Sequence, residues 1–97
     1  MKGIDFTQLQ KETLETKLKN GVTIHVLPPS VKACGKMQSV NINDFNGISR
    51  VLSEILSHNQ ECYDVSKEEI ETYDTQELML LAQSILEFVS FIKDQKH

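Results

Sequence analysis

The sequence contains no tryptophan, only two cysteines, two prolines and four glycines, and nowhere a long run of apolar residues. Each shortage excludes something. No stretch approaches the roughly 20 apolar residues that a membrane span requires, and no apolar signal-peptide segment is visible, so neither membrane nor secretion is expected. Cys34 and Cys62 stand far apart and neither belongs to a Cys-x-x-Cys, which points to free thiols and a cytoplasmic location. The glycines form no phosphate-cradling loop, and Gly-x-Ser-x-Gly and His-Glu-x-x-His are both missing. Charge of one sign is also scarce in any one place. Ten Lys+Arg face 14 Asp+Glu, a net charge of −4, with no basic stripe to neutralise phosphates, so nucleic acid is not an expected partner.

What is present is ordinary for a small globular protein: 97 residues, 39% hydrophobic and 25% charged. The expectation is a single α+β domain over residues 1–97, with a modest core. An N-terminal β-hairpin (13–27) should be followed by three to four α-helices (29–94), the last one long. Residues 1–12 are ambiguous, since Ile4, Phe6 and Leu9 suit either a strand or a loose helix.

The hairpin is the clearest local signal. Residues 13–18 and 22–27 alternate polar and apolar around Asn20-Gly21. A two-residue loop would set Lys17 opposite Ile24 and mix the faces. A three-residue loop, Lys19-Asn20-Gly21, instead sets Leu18 opposite Val22, Thr16 opposite Ile24 and Leu14 opposite Val26. It also puts Gly21 at the left-handed position of a type I turn with a G1 bulge.

Pro28-Pro29 ends the second strand, and the spacing of Val31, Cys34, Met37 and Val40 predicts a short helix over 29–40 with proline in its first turn. A second helix is predicted from Asn43 or Asp44 to His58, with a loop over 58–64. Ser66–Glu69 and Asp74–Glu77 have capping-box form, which predicts a helical turn over 67–72 and a long helix from Thr75 to about Asp94.

Reactive residues are few and weakly arranged. His58 and Cys62 have a helical spacing, but a structural zinc site wants four ligands and no second pair supports them. Pairings of Cys34 or Cys62 with His25 or His58 lack any accompanying motif, and His25 falls on the polar face of its strand, where solvent explains it. Glu68-Glu69-Ile70-Glu71 lacks the alternating ligands and glycine of a calcium loop. No catalytic, cofactor or metal residue is expected, and the chain is read as a non-enzyme.

The last helix is more informative. At about 100° per residue, Leu78, Leu81, Ala82, Ile85, Phe88, Val89 and Ile92 fall in one arc of roughly 120°. Met79 and Leu86 lie to one side of it, and Leu80 and Phe91 lie near the opposite side. These four exceed what one core-facing stripe requires and are the candidate protein-binding residues, for self-association or for a client.

The order of features resembles a known family. The Asn-Gly hairpin runs into Leu27-Pro28-Pro29-Ser30-Val31-Lys32, and Val51-Leu52-Ser53-Glu54-Ile55-Leu56-Ser57-His58-Asn59 follows in an amphipathic helix. Val65-Ser66-Lys67-Glu68-Glu69-Ile70, Tyr73-Asp74-Thr75-Gln76-Glu77-Leu78 and the closing Phe88-Val89-Ser90-Phe91-Ile92 complete the pattern. Over about residues 13–93 this is similar to the small tail assembly chaperones of long-tailed phages and prophages of Gram-positive bacteria. The resemblance implies a non-enzymatic chaperone that coats the hydrophobic helices of a tape measure protein, self-associates and needs no cofactor. It carries no residue-specific site. The competing expectations are a structural subunit of a phage tail and a small protein-interaction or regulatory domain.

Overall fold

Residues 14–26 form a two-stranded antiparallel sheet, β1 (Leu14–Lys17) and β2 (Thr23–Val26), in a computed structural model that describes Met1 and residues 3–94. Leu14 lies opposite Val26 and Thr16 opposite Ile24, the register that side-chain parity demands. The turn has three residues. Gly21 N–H donates to Leu18 C=O at 2.9 Å, Leu18 N–H donates to Val22 C=O at 2.8 Å, and Gly21 has φ +91°. An L side chain is strained there, which is why glycine occupies the bulge.

Four helices follow: α1 (Val31–Ser39), α2 (Phe45–Ser57), α3 (Lys67–Ile70) and α4 (Thr75–Lys93). Each begins where a short polar side chain accepts a backbone N–H three residues on. The pairs are Ser30 with Ala33 (3.0 Å), Asp44 with Gly47 (2.9 Å), Ser66 with Glu69 (3.1 Å) and Asp74 with Glu77 (2.8 Å). At α4 the Glu77 carboxylate also accepts the Asp74 N–H at 2.8 Å, completing the box.

The first helix departs from expectation. It starts at Val31 and not at Pro29, because Ser30 supplies the cap and leaves both prolines in the approach. Its apolar residues differ in depth. Val31 is 91% exposed and Ala33 is buried, while Cys34, Met37 and Val40 are half-buried. Residues 3–12 form neither strand nor helix. They make a turn in which Asp5 accepts from Thr7 N–H at 3.0 Å and Gln8 N–H donates to Asp5 C=O at 3.1 Å.

The core lies between the hairpin and the helices. Leu18, Ile24 and Val26 meet Ile48, Leu52, Ile55 and Leu56 of α2, Ile70 of α3, and Leu78, Leu81 and Ile85 of α4. Each such aliphatic side chain contributes about 1.5–3 kcal/mol by leaving water. Polar pins hold the connections. Ser53 and Ser57, one turn apart on α2, both donate to Val65 C=O (2.6 and 3.1 Å), and Val65 N–H donates back to Ser57 Oγ at 2.9 Å. Asn59 is 5% exposed and fully bonded. Its amide donates to Leu56 C=O and Tyr63 C=O, both at 2.8 Å, and accepts from Tyr63 N–H at 2.9 Å. The segment it holds lies along β2, where Leu27 N–H donates to His58 C=O at 2.8 Å and Gln60 N–H to His25 C=O at 3.0 Å.

The hairpin turn is tied to the other end of the chain. Lys19 N–H donates to Tyr73 Oη at 3.2 Å, Lys19 Nζ pairs with Glu77 at 2.8 Å, and Asn20 donates to Tyr63 Oη at 2.8 Å. These contacts fix the hairpin against the α3–α4 junction.

Candidate protein-binding surface

On α4 the 120° arc divides by depth. Leu78, Leu81, Ile85 and Phe88 are buried, while Ala82, Val89 and Ile92 are half-buried. Of the four candidate contacts, Leu80, Leu86 and Phe91 are exposed to 55%, 49% and 49%. Met79 differs: it is half-buried and packs against the core, so it already has partners inside its own chain.

The three exposed residues do not form one patch. Leu80 and Phe91 are eleven residues apart on one helical face, about 16 Å along the axis, with Ser84 and Glu87 between them. Leu86 lies on the shoulder that faces α1. There the surface opens into a groove of about 410 Å³ between α1 and the C-terminal half of α4, bordered by Pro29, Val31, Cys34, Val89 and Ile92. A narrow cleft of about 20 Å³ adjoins it, lined by Pro29, Cys34, Met37, Leu86 and Val89 among others. The groove follows from the misfit of two helices. α1 is short and turns Ala33 inward, so Val31 cannot reach the flank of α4 and leaves apolar surface unfilled.

Titratable groups gather elsewhere. On the solvent face of the sheet, His25 is held by Glu61, whose carboxylate takes the backbone N–H at 2.8 Å and the ring Nδ1 at 2.5 Å. Glu15 lies 3.3 Å from the other ring nitrogen. The hydrogen bond to Glu61 raises the His25 pKa above the ordinary histidine value. The backbone N–H and then the ring of His25 lower that of Glu61. His25 was expected to face solvent alone; the loop across β2 instead delivers it a carboxylate. The cluster is an ion-pair row on the solvent face of the sheet. Cys34 is half-buried in the α1–α4 groove and Cys62 is exposed at φ +56°. Among the described residues neither thiol is hydrogen-bonded to a histidine, and no group of three or more His, Cys, Asp and Glu is placed to hold a metal ion.

Among the described residues no helix is long and apolar enough to cross a membrane. Comparison of the chain with protein-family models, with curated proteins and with solved structures found no match.

Proposed function

We propose that this chain is a non-enzymatic assembly chaperone that binds apolar helical segments of a client. In line with the family resemblance, the client would be a phage tape measure protein in the cytoplasm of a bacterial host. The observation that carries the reading is the apolar groove between α1 and α4, with Val31 91% exposed on one wall and Leu86 on the adjoining shoulder. An amphipathic helix lays its apolar face into such a groove by presenting residues at i, i+3, i+4 and i+7. Leu80 and Phe91, on the far side of α4, would supply a second and more dispersed contact.

Co-expression with the tape measure protein tests this. The client should remain soluble with the chain and aggregate without it; equal solubility in both cases refutes the reading. Val31→Asp and Leu86→Ser should each reduce that protection while leaving the melting temperature near the parent's, because both side chains are exposed. A structural tail subunit would instead appear at fixed copy number in purified particles, by mass spectrometry.

A further inference from the structure

β1 has one bonded edge and one open edge. Leu18 N–H donates to Val22 C=O, so strand alternation directs the backbone groups of Leu14, Thr16 and Leu18 toward β2. Glu15 and Lys17 direct theirs away, and among the described residues no hydrogen bond reaches them. The outer edge of β2 is treated differently. Residues 58–60 and the Glu61 carboxylate cover it, taking up the N–H and C=O of His25 and the N–H of Leu27. An uncovered strand edge is a template for another strand; β1 has no proline, but it is only four residues long and carries Glu15 and Lys17, so it admits only a strand of matching charge.

We propose that this edge is the contact of a two-fold homodimer, in which β1 pairs antiparallel with β1 of a second copy and Thr16 lies on the axis. Backbone alternation and charge together select the register. Hydrogen bonds require residues with outward-facing backbone groups to meet, so Glu15 and Lys17 must pair among themselves. Shifting the strands by two residues one way sets Glu15 opposite Glu15, and shifting them the other way sets Lys17 opposite Lys17. The register between them sets each Glu15 opposite the Lys17 of the other chain, twice by symmetry. It also brings Leu14 opposite Leu18 on the inner face, on either side of the Thr16 pair at the axis. On the outer face, Glu61, His25 and Glu15 of one chain continue into Lys17 of the other, a row of alternating sign once His25 is protonated. The same register carries residues 3–12 of each chain past the turn of the other, where Phe6 and Leu9, exposed to 74% and 51% in the single chain, have a second surface to lie on.

The occupant is therefore a second copy of this chain, selected by charge. The β1 edge and the α1–α4 groove share no residue, so failure of either proposal leaves the other standing.

Solution mass of the full chain, by sedimentation equilibrium from about 1 μM to 1 mM, should rise from one chain to two. Glu15→Lys and Lys17→Glu each turn both pairs into like charges and should weaken dimerisation about tenfold or more. The double variant Glu15→Lys with Lys17→Glu restores both pairs and should recover most of the affinity. Lys17→Pro removes an outward N–H and touches no β1–β2 bond, so it should give a folded monomer with parental circular dichroism. In a Cys34→Ser, Cys62→Ser background, Thr16→Cys should form an interchain disulfide on mild oxidation, since non-hydrogen-bonded partners bring their Cβ atoms close. A single-chain mass at every concentration overturns the proposal and leaves the edge to the strand of another protein. A dimer that survives Lys17→Pro, or single charge reversals no weaker than the double, overturns it equally.

Discussion

Replacing Asn59 by alanine should be among the costliest single changes in this protein, although the residue lies in a loop. The side chain is 5% exposed and makes three hydrogen bonds of 2.8–2.9 Å, two as donor and one as acceptor. A net contribution near 1 kcal/mol per bond gives about 3 kcal/mol for Asn59→Ala. The truncation also leaves Leu56 C=O and both backbone groups of Tyr63 without that partner. Domains of this size are stable by about 5–15 kcal/mol, so the loss is a large fraction. At about 4–8 °C per kcal/mol, it corresponds to a fall in melting temperature of about 12–24 °C. Urea unfolding of parent and variant, followed by circular dichroism, measures it directly. Asn59→Asp separates hydrogen bonding from packing. It keeps the shape but points a carboxylate at two carbonyls, so it should be at least as destabilising at neutral pH and recover partly in acid. A loss below about 1 kcal/mol for Asn59→Ala, with unchanged denaturant dependence, refutes the idea that this side chain pins the loop.

Two glycines in helices should respond oppositely to alanine. Gly35 in α1 faces open space, so Gly35→Ala should stabilise by about 0.5–1 kcal/mol. At Gly47 a Cβ would lie 2.5 Å from Asp44 Oδ2 and 2.9 Å from Val40 Cγ2, so Gly47→Ala loses the α2 cap and should not stabilise; thermal melts of both variants decide. The His25–Glu61 pair should make stability depend on pH. The raised His25 contributes fully below about pH 6.5 and is lost as pH rises through its folded value, while the lowered Glu61 contributes above about pH 4.3 and is lost as pH falls through its own. Glu61→Gln should therefore cost more at pH 5.5 than at pH 8.5 and bring the His25 titration, followed by NMR, back toward the ordinary value. An unmoved titration refutes the pairing. On α4, Leu80→Ser with Phe91→Ser should change stability by less than about 1 kcal/mol. Ile85→Ala, at 1% exposure, should cost about 2–5 kcal/mol in the same urea assay.

The elements that were legible in the sequence are those governed by near neighbours. The hairpin register follows from alternation at a period of two, because a one-residue slip would turn Leu14, Leu18, Ile24 and Val26 to solvent. The starts of α2, α3 and α4 follow from Asp44, Ser66 and Asp74, whose side chains reach donors only three residues away. α1 was misjudged at its start because Pro29 and Ser30 both suit a helix entry, and the cap bond to Ala33 decides between them. Of its spaced apolar residues, Met37 and Val40 pack on the core and Val31 stays in solvent.

The candidate surface was legible by halves. Periodicity on α4 set Leu80, Leu86 and Phe91 apart from the buried arc, since direction around a helix is a local quantity. That Met79 packs inward, and that Leu86 faces a groove walled by Val31 and Pro29, depends on where α1 docks. The sequence by itself determined the strand pairing, the caps of α2, α3 and α4 and the excess of apolar residues on α4, because each is settled by groups within a few residues. Only the tertiary structure decided that residues 58–61 close the edge of β2 and that β1 keeps an open edge. These rest on contacts between residues thirty or more apart or on the packing of one element against another, and no local pattern encodes which loop a strand edge will meet.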